Sequence, residues 1–159
     1  MTQRLAAKFG PAISEFATYL GQNFMVAETA SVPAIIEALK TEEGFDYLVD
    51  LTAVDYPNKP ERFELVYILY SFRRNERVRV KTRVLEGQKP HSIAAIHKTA
   101  NWLEREVFDM FGIEFAHHPD LRRILLPDEW QGHPLRKEYG ITQMDDQWVK
   151  ENLAIESGH

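Results

Sequence analysis

Between Arg77 and Leu85 the chain alternates without a break. Val78, Val80, Thr82 and Val84 fall in one set, and Arg77, Arg79, Lys81 and Arg83 in the other. A period of two sends the sets to opposite faces of an extended strand, so one face is apolar and the other is a row of cations. No helix tolerates that pattern, and the segment commits the chain to a sheet with one covered face.

The residues before it extend the sheet. From Arg62 to Phe72, Phe63, Leu65, Tyr67 and Leu69 alternate against Glu64, Val66, Ile68 and Tyr70. Apolar groups on both sides predict a central strand. Phe45 to Val54 supplies another, closing on the turn Asp55-Tyr56-Pro57-Asn58. The links between these strands are short, which favours antiparallel pairing, because a parallel crossover needs roughly a dozen residues or more.

Helices are expected around this sheet. Thr2 to Phe9 reads as a short helix stopped by Gly10-Pro11. Ser31 is placed to cap a helix through Lys40, with Pro33 in its first turn and Ile35, Ile36 and Leu39 on its apolar face. From Ile13 to Val26 a helix and a pair of strands fit equally well. Ser92 is placed to cap a long helix carrying Ile93, Ile96, His97, Ala100, Leu103, Val107, Met110 and Phe111 on one stripe, with Gly112 as its stop. On that helix Arg105 and Asp109 are expected to form an outward i,i+4 pair. The predicted fold is α+β: an antiparallel sheet flanked by helices (residues 1–115), then a long extended arm and tail (116–159) belonging to the same structural unit.

Composition narrows the chemistry. The 159 residues include 19 Lys plus Arg against 24 Asp plus Glu, a formal charge of −5 with no long basic run, which disfavours nucleic-acid binding. The absence of cysteine removes disulfides, a catalytic thiol and the usual iron–sulfur ligands. No apolar stretch approaches the ~18 residues of a membrane span, and the N-terminus lacks a signal-peptide core, so membrane association is expected only through partners.

Motifs for catalysis are missing: there is no GxSxG, GxxxxGK[ST] or GxGxxG. His117, His118 and His133 invite a metal site, but adjacent residues of an extended segment point to opposite sides. His118-Pro119 is better read as a turn whose imidazole satisfies backbone groups. Glu104, Glu106 and Asp109 are expected on a solvated or partner-facing helix surface. The cationic row has two open explanations, protection of a sheet edge and docking of an acidic partner.

The arm is more telling. Prolines at 119, 127 and 134 exclude long regular structure, while Arg122, Arg123, Trp130, Arg136, Lys137 and Tyr139 are residue types enriched at the energetic centres of interfaces. That composition favours packing against another protein over packing on the arm's own domain.

The stretch WLEREVFDMFGIEF (102–115) followed by HPDLRRILLPDEWQGHPLRKEY (118–139) closely resembles the signature of the C subunit of proton-pumping NADH:quinone oxidoreductase, respiratory complex I. FDYLVDLTAVDYP (45–57), RFELVYILYSF and RVRVKTRV resemble the rest of that domain. The resemblance implies a non-catalytic component of the peripheral arm that holds no cofactor, with FMN and iron–sulfur clusters on partner subunits. It implies packing against the hydrogenase-like large and small subunits near the quinone site, at the cytoplasmic face of a bacterial membrane. Glu104, Arg105 and Asp109 on the helix and Arg122, Arg123, Trp130, Arg136, Lys137 and Tyr139 on the arm are the expected partner contacts. Equivalent subunits of energy-converting hydrogenases and formate hydrogenlyases are the related alternative. His117 departs from the pattern, where a small or amide residue commonly precedes His-Pro, and so does Gly140, where Pro is frequent.

Overall fold

The computed structural model describes residues 1–140 and 146–153. Its elements are helix α1 (Thr2–Phe9), strands β1 (Ile13–Tyr19) and β2 (Gln22–Ala27), helix α2 (Val32–Thr41), strands β3 (Tyr47–Asp55), β4 (Phe63–Ser71) and β5 (Glu76–Val84), and helices α3 (Ala100–Phe111) and α4 (Asp146–Leu153). Local signals explain most boundaries. Helix α1 ends where Gly10 takes φ 50° ahead of Pro11. The segment left open in the sequence is a hairpin, turning at Leu20 and Gly21 with φ 47° and 72°. Two consecutive positive φ values match the twist that a tight hairpin needs.

The five strands form one sheet in the order β1-β2-β5-β4-β3. Strand β1 pairs antiparallel with β2, as do β3 with β4 and β4 with β5. The antiparallel expectation fails at one place: β2 and β5 run parallel, Met25 opposite Val80. The intervening chain holds α2, β3 and β4, ample length for a crossover, and no local signal announces the pairing. The architecture is α+β with a mixed sheet.

One face of the sheet is the core. Met25, Leu51, Leu65, Tyr67, Leu69, Val78 and Val80 are buried beside Ile35, Ile36 and Leu39 of α2 and Ala100, Val107 and Phe111 of α3. Each fully buried large side chain contributes about 2 kcal/mol. The opposite face carries the cationic row, with Arg77 and Arg83 exposed and Arg79 and Lys81 half-buried. Strand β5 lies at the centre of the sheet, so the row protects no edge.

Helix α3 starts later than its apolar stripe suggests. Ser92 caps no helix; residues 92–99 form turns, closed by Ile96 and His97 amides donating to the Ile93 carbonyl at 2.9 Å each. A single such turn holds Ile93, Ile96 and His97 at helical spacing, which is why the stripe reads as continuous. Between 116 and 140 the chain forms neither helix nor strand, apart from one bridge of Ala116 to His91. Expectations for 141–145 and 154–159 fall outside the described residues.

Candidate partner interface and its anchors

Helix α3 ends with four carbonyls that have no partner within the helix. The arm supplies nearly all that is missing. The Gly112 amide donates to Phe108 O at 2.8 Å and the Leu135 amide to Met110 O at 3.0 Å. Asp109 O accepts from His133 Nδ1 at 2.9 Å, and Phe111 O from Arg136 Nε at 2.6 Å. A guanidinium at a helix C-terminus also complements the negative end of the macrodipole. Burial pushes the His133 imidazole below its ordinary value, in keeping with a neutral ring that donates from Nδ1.

Asp109 anchors the arm one turn earlier. It is buried, contrary to the outward pair with Arg105 expected from the sequence. Its Oδ1 accepts from Arg123 Nη1 at 2.6 Å, while Oδ2 accepts from the amides of Ile124, Leu125 and Leu126 at 3.0, 2.7 and 3.0 Å. Burial favours the protonated acid, but those three amides and the Arg123 guanidinium outweigh it and hold the carboxyl below its usual range. Arg123 continues outward, donating from Nη2 to the carbonyls of Trp130 and Gly132. Arg105 is buried too, and donates to the carbonyls of Arg122 and Arg123 at 3.1 and 3.0 Å.

Glu104 faces inward on the same helix. It accepts from Ser92 Oγ at 2.6 Å and from the Ile93 amide at 2.7 Å, pinning the turn that precedes α3. Burial pushes its carboxyl up to about 7 against those two hydrogen bonds. His118 Nε2 lies 3.7 Å away, and its ring bridges Asn101 O and the Asp120 amide, the backbone role expected of it. His117 takes φ 62°, a left-handed conformation that Gly and Asn adopt more readily than His. The departure at that position therefore has a local conformational cost.

A second anchor was not legible in the sequence. Asp55, buried at the end of β3, accepts a bidentate pair from Arg62 Nε and Nη2 at 2.8 and 3.0 Å and a bond from the Lys137 amide at 2.8 Å. Arg62 also pairs with Glu86 and Glu138, and Arg136 with Glu86 at 3.0 Å. The only hint was an Asp at a strand end; its partner amide lies 82 residues away.

The expected contact residues thus divide. Glu104, Arg105, Asp109, Arg123 and Arg136 spend their polar groups inside the chain. Tyr139 packs over Gly132, and Trp130 lies against Trp148 with ring centroids 5.6 Å apart and the rings tilted by 59°. Arg122 and Lys137 project outward, with Arg122 bonded to the exposed Asp120. Between them Leu125 and Leu135 remain 61% and 51% exposed, as does Trp102 on α3. Among the described residues no group of three or more His, Asp or Glu converges to hold a metal ion.

Comparison with known proteins decides the family. The model of the respiratory-chain NADH dehydrogenase 30 kDa subunit matches residues 25–145. The chain belongs to that family. Its relatives include the C subunit of NADH-quinone oxidoreductase from Geotalea uraniireducens, 40% identical over 95% of this chain and 93% of its own length. The protein of the same name from Trichlorobacter lovleyi is 45% identical over 87% of both. The one from Cereibacter sphaeroides is 47% identical over 79% of this chain, which spans 65% of that longer relative. A solved structure of a membrane-bound sulfane sulfur reductase, an archaeal respiratory membrane complex, shares the fold with TM-score 0.77 over 97% of this chain and 89% of its own, at 22% identity. No described helix is long and apolar enough to cross a membrane.

Proposed function

We propose that the chain is a structural subunit of the peripheral arm of a proton-translocating NADH:quinone oxidoreductase and has no active site of its own. Its partners are the hydrogenase-like large and small subunits near the quinone site, at the cytoplasmic face of the membrane, and the FMN and iron–sulfur clusters reside on partner subunits. The observation that carries this reading is the anchored arm. Arg123, His133, Arg136 and the amides of Ile124, Leu125, Leu126 and Lys137 bond α3 and Asp55 of β3, while Leu125, Leu135, Arg122 and Lys137 face outward along an irregular segment. Apolar and guanidinium groups on a backbone already ordered lower the entropic cost of association. Trp130, Arg123 and Arg136 support that surface from beneath, and Tyr139 closes over Gly132.

The test is purification of the tagged chain from gently solubilised membranes of its host. A multi-subunit assembly whose iron–sulfur signal appears on adding NADH is the expected result. A large assembly silent to NADH would transfer the same role to a hydrogenase-type complex. A chain recovered alone would overturn the reading.

A further inference from the structure

Strand β5 sits at the middle of the sheet, and among the described residues two cations of its outward row, Arg77 and Arg79, form no ion pair. Lys81 pairs with Glu64 at 3.2 Å and Arg83 with Glu61 at 3.7 Å. The register places Arg77 beside Tyr70 and, one strand further, Tyr47; Arg79 lies beside Ile68 and Asp50. On the other side Phe24 adjoins Arg79, and Val26 adjoins Lys81. At the corner Phe72 packs edge-on against Tyr47 and Tyr70, at 5.6 and 4.9 Å between centroids, and stays 69% exposed; Tyr47 is 49% exposed.

This face lies opposite the core, and the anchored arm is held elsewhere, on the end of α3 and on Asp55. A sheet face bearing aromatic and branched apolar groups is ordinarily covered by a second layer. Across β5, β4 and β3 this face sets Arg77, Arg79, Lys81 and Arg83 against Asp50 and Glu64, an excess of cations on a chain of net charge −5, which selects the sign of the cover. Arginines framed by tyrosine and phenylalanine are also the composition of interface hot spots.

We infer that this face docks an acidic amphipathic helix of another subunit, laid across β5, β4 and β3, with its carboxylates on Arg77 and Arg79 and its apolar side chains on Tyr70, Tyr47 and Phe72. The inference rests on the structural role proposed above and adds a second contact surface remote from the arm.

The test uses the full chain assembled in its host. Phe72→p-benzoylphenylalanine keeps an aromatic ring at the exposed corner and captures whatever lies within reach on irradiation. Mass spectrometry of the purified assembly should identify a helical segment of another subunit with Glu or Asp at three- and four-residue spacing. Arg77→Glu with Arg79→Glu should lower recovery of the assembly about tenfold, the purified full chain keeping its melting temperature. If that pair does not fold, Arg77→Gln with Arg79→Gln replaces it, with the same direction expected. Capture of phospholipid, of a second copy of this chain or of a segment lacking carboxylates overturns the inference, and so does normal recovery of the substituted assembly. Wild-type chain that assembles while Phe72 captures nothing overturns this surface alone. Wild-type chain that joins no assembly overturns the structural role and this surface with it.

Discussion

The Asp109 carboxylate and the Arg123 guanidinium meet at 2.6 Å beneath the arm, 14 residues apart in the chain. Among the described residues neither group makes another ion pair, and three arm amides depend on the same carboxylate. Asp109→Ala is therefore expected to cost about 3–5 kcal/mol of folding stability, the usual penalty for stranding a buried charge. Urea unfolding of the purified chain measures it. A loss below ~1 kcal/mol would show that the arm is held by other means.

Gly112 is required for two reasons that can be separated. It has φ +73°, and an added Cβ would lie 2.6 Å from the His133 ring and 2.8 Å from Arg136 Nη2. Gly87 has φ +79° with nothing within 4 Å. Gly87→Ala should cost about 1 kcal/mol, the backbone penalty alone, and Gly112→Ala about 3 kcal/mol or more. Equal losses would mean that the contact with His133 is dispensable.

Glu104 predicts an unusual pH dependence. Its folded-state pKa is raised from 4.5 to about 7, so the native chain binds a proton more tightly than the unfolded one. The stability this contributes is complete below about 4.5 and is lost as pH rises through about 7, by on the order of 3 kcal/mol at most. Glu43 acts oppositely. Its hydrogen bond to Arg4 leads in holding it down to about 2 despite burial, so its contribution is present above 4.5 and disappears as pH falls toward 2. Comparing unfolding of wild type and Glu104→Gln at pH 5 and pH 8 isolates the first effect. The variant should gain on wild type at the higher pH; parallel curves would refute the assignment.

Charge reversals along the arm should separate folding from assembly. Arg122 is exposed and, among the described residues, its guanidinium bonds Asp120 alone, so Arg122→Glu should change stability by less than ~0.5 kcal/mol while reducing recovery of the assembly. Arg136 donates to Phe111 O and pairs with Glu86, so Arg136→Glu should weaken the fold itself, by about 2–3 kcal/mol. Circular dichroism melts alongside pull-down yields distinguish the two. Normal yield with Arg122→Glu would remove that residue from the interface.

Much of the fold was legible because its signals are local. Gly10-Pro11 stops α1, alternation marks β4 and β5, and Gly112 ends α3 within a few residues of the feature each controls. The parallel pairing of β2 with β5 was not legible, since it depends on how three intervening elements fold back. The candidate site was legible in its residues but not in their direction. On an amphipathic helix Glu104, Arg105 and Asp109 read as solvent-facing, because charged groups rarely bury unless paired. Their partners lie at Ser92, at Arg123 and in the amides of 124–126, none within reach on the helix itself. Arg136 was placed at a partner for the same reason, whereas its guanidinium closes the end of α3. Strand order likewise removed one of two explanations for the cationic row, a choice that alternation alone leaves open.

The end of α3 is completed by His133, Leu135 and Arg136, more than twenty residues after Phe111. During synthesis, then, the helix leaves the ribosome unfinished, and its last turn waits for a segment still to be translated. A nascent chain paused between Gly112 and Arg122 carries a domain with an open helix end and an Asp109 that still lacks Arg123 and the amides of 124–126. The arm closes that gap only when it arrives, so the surface offered to partners and the completion of the fold are a single event.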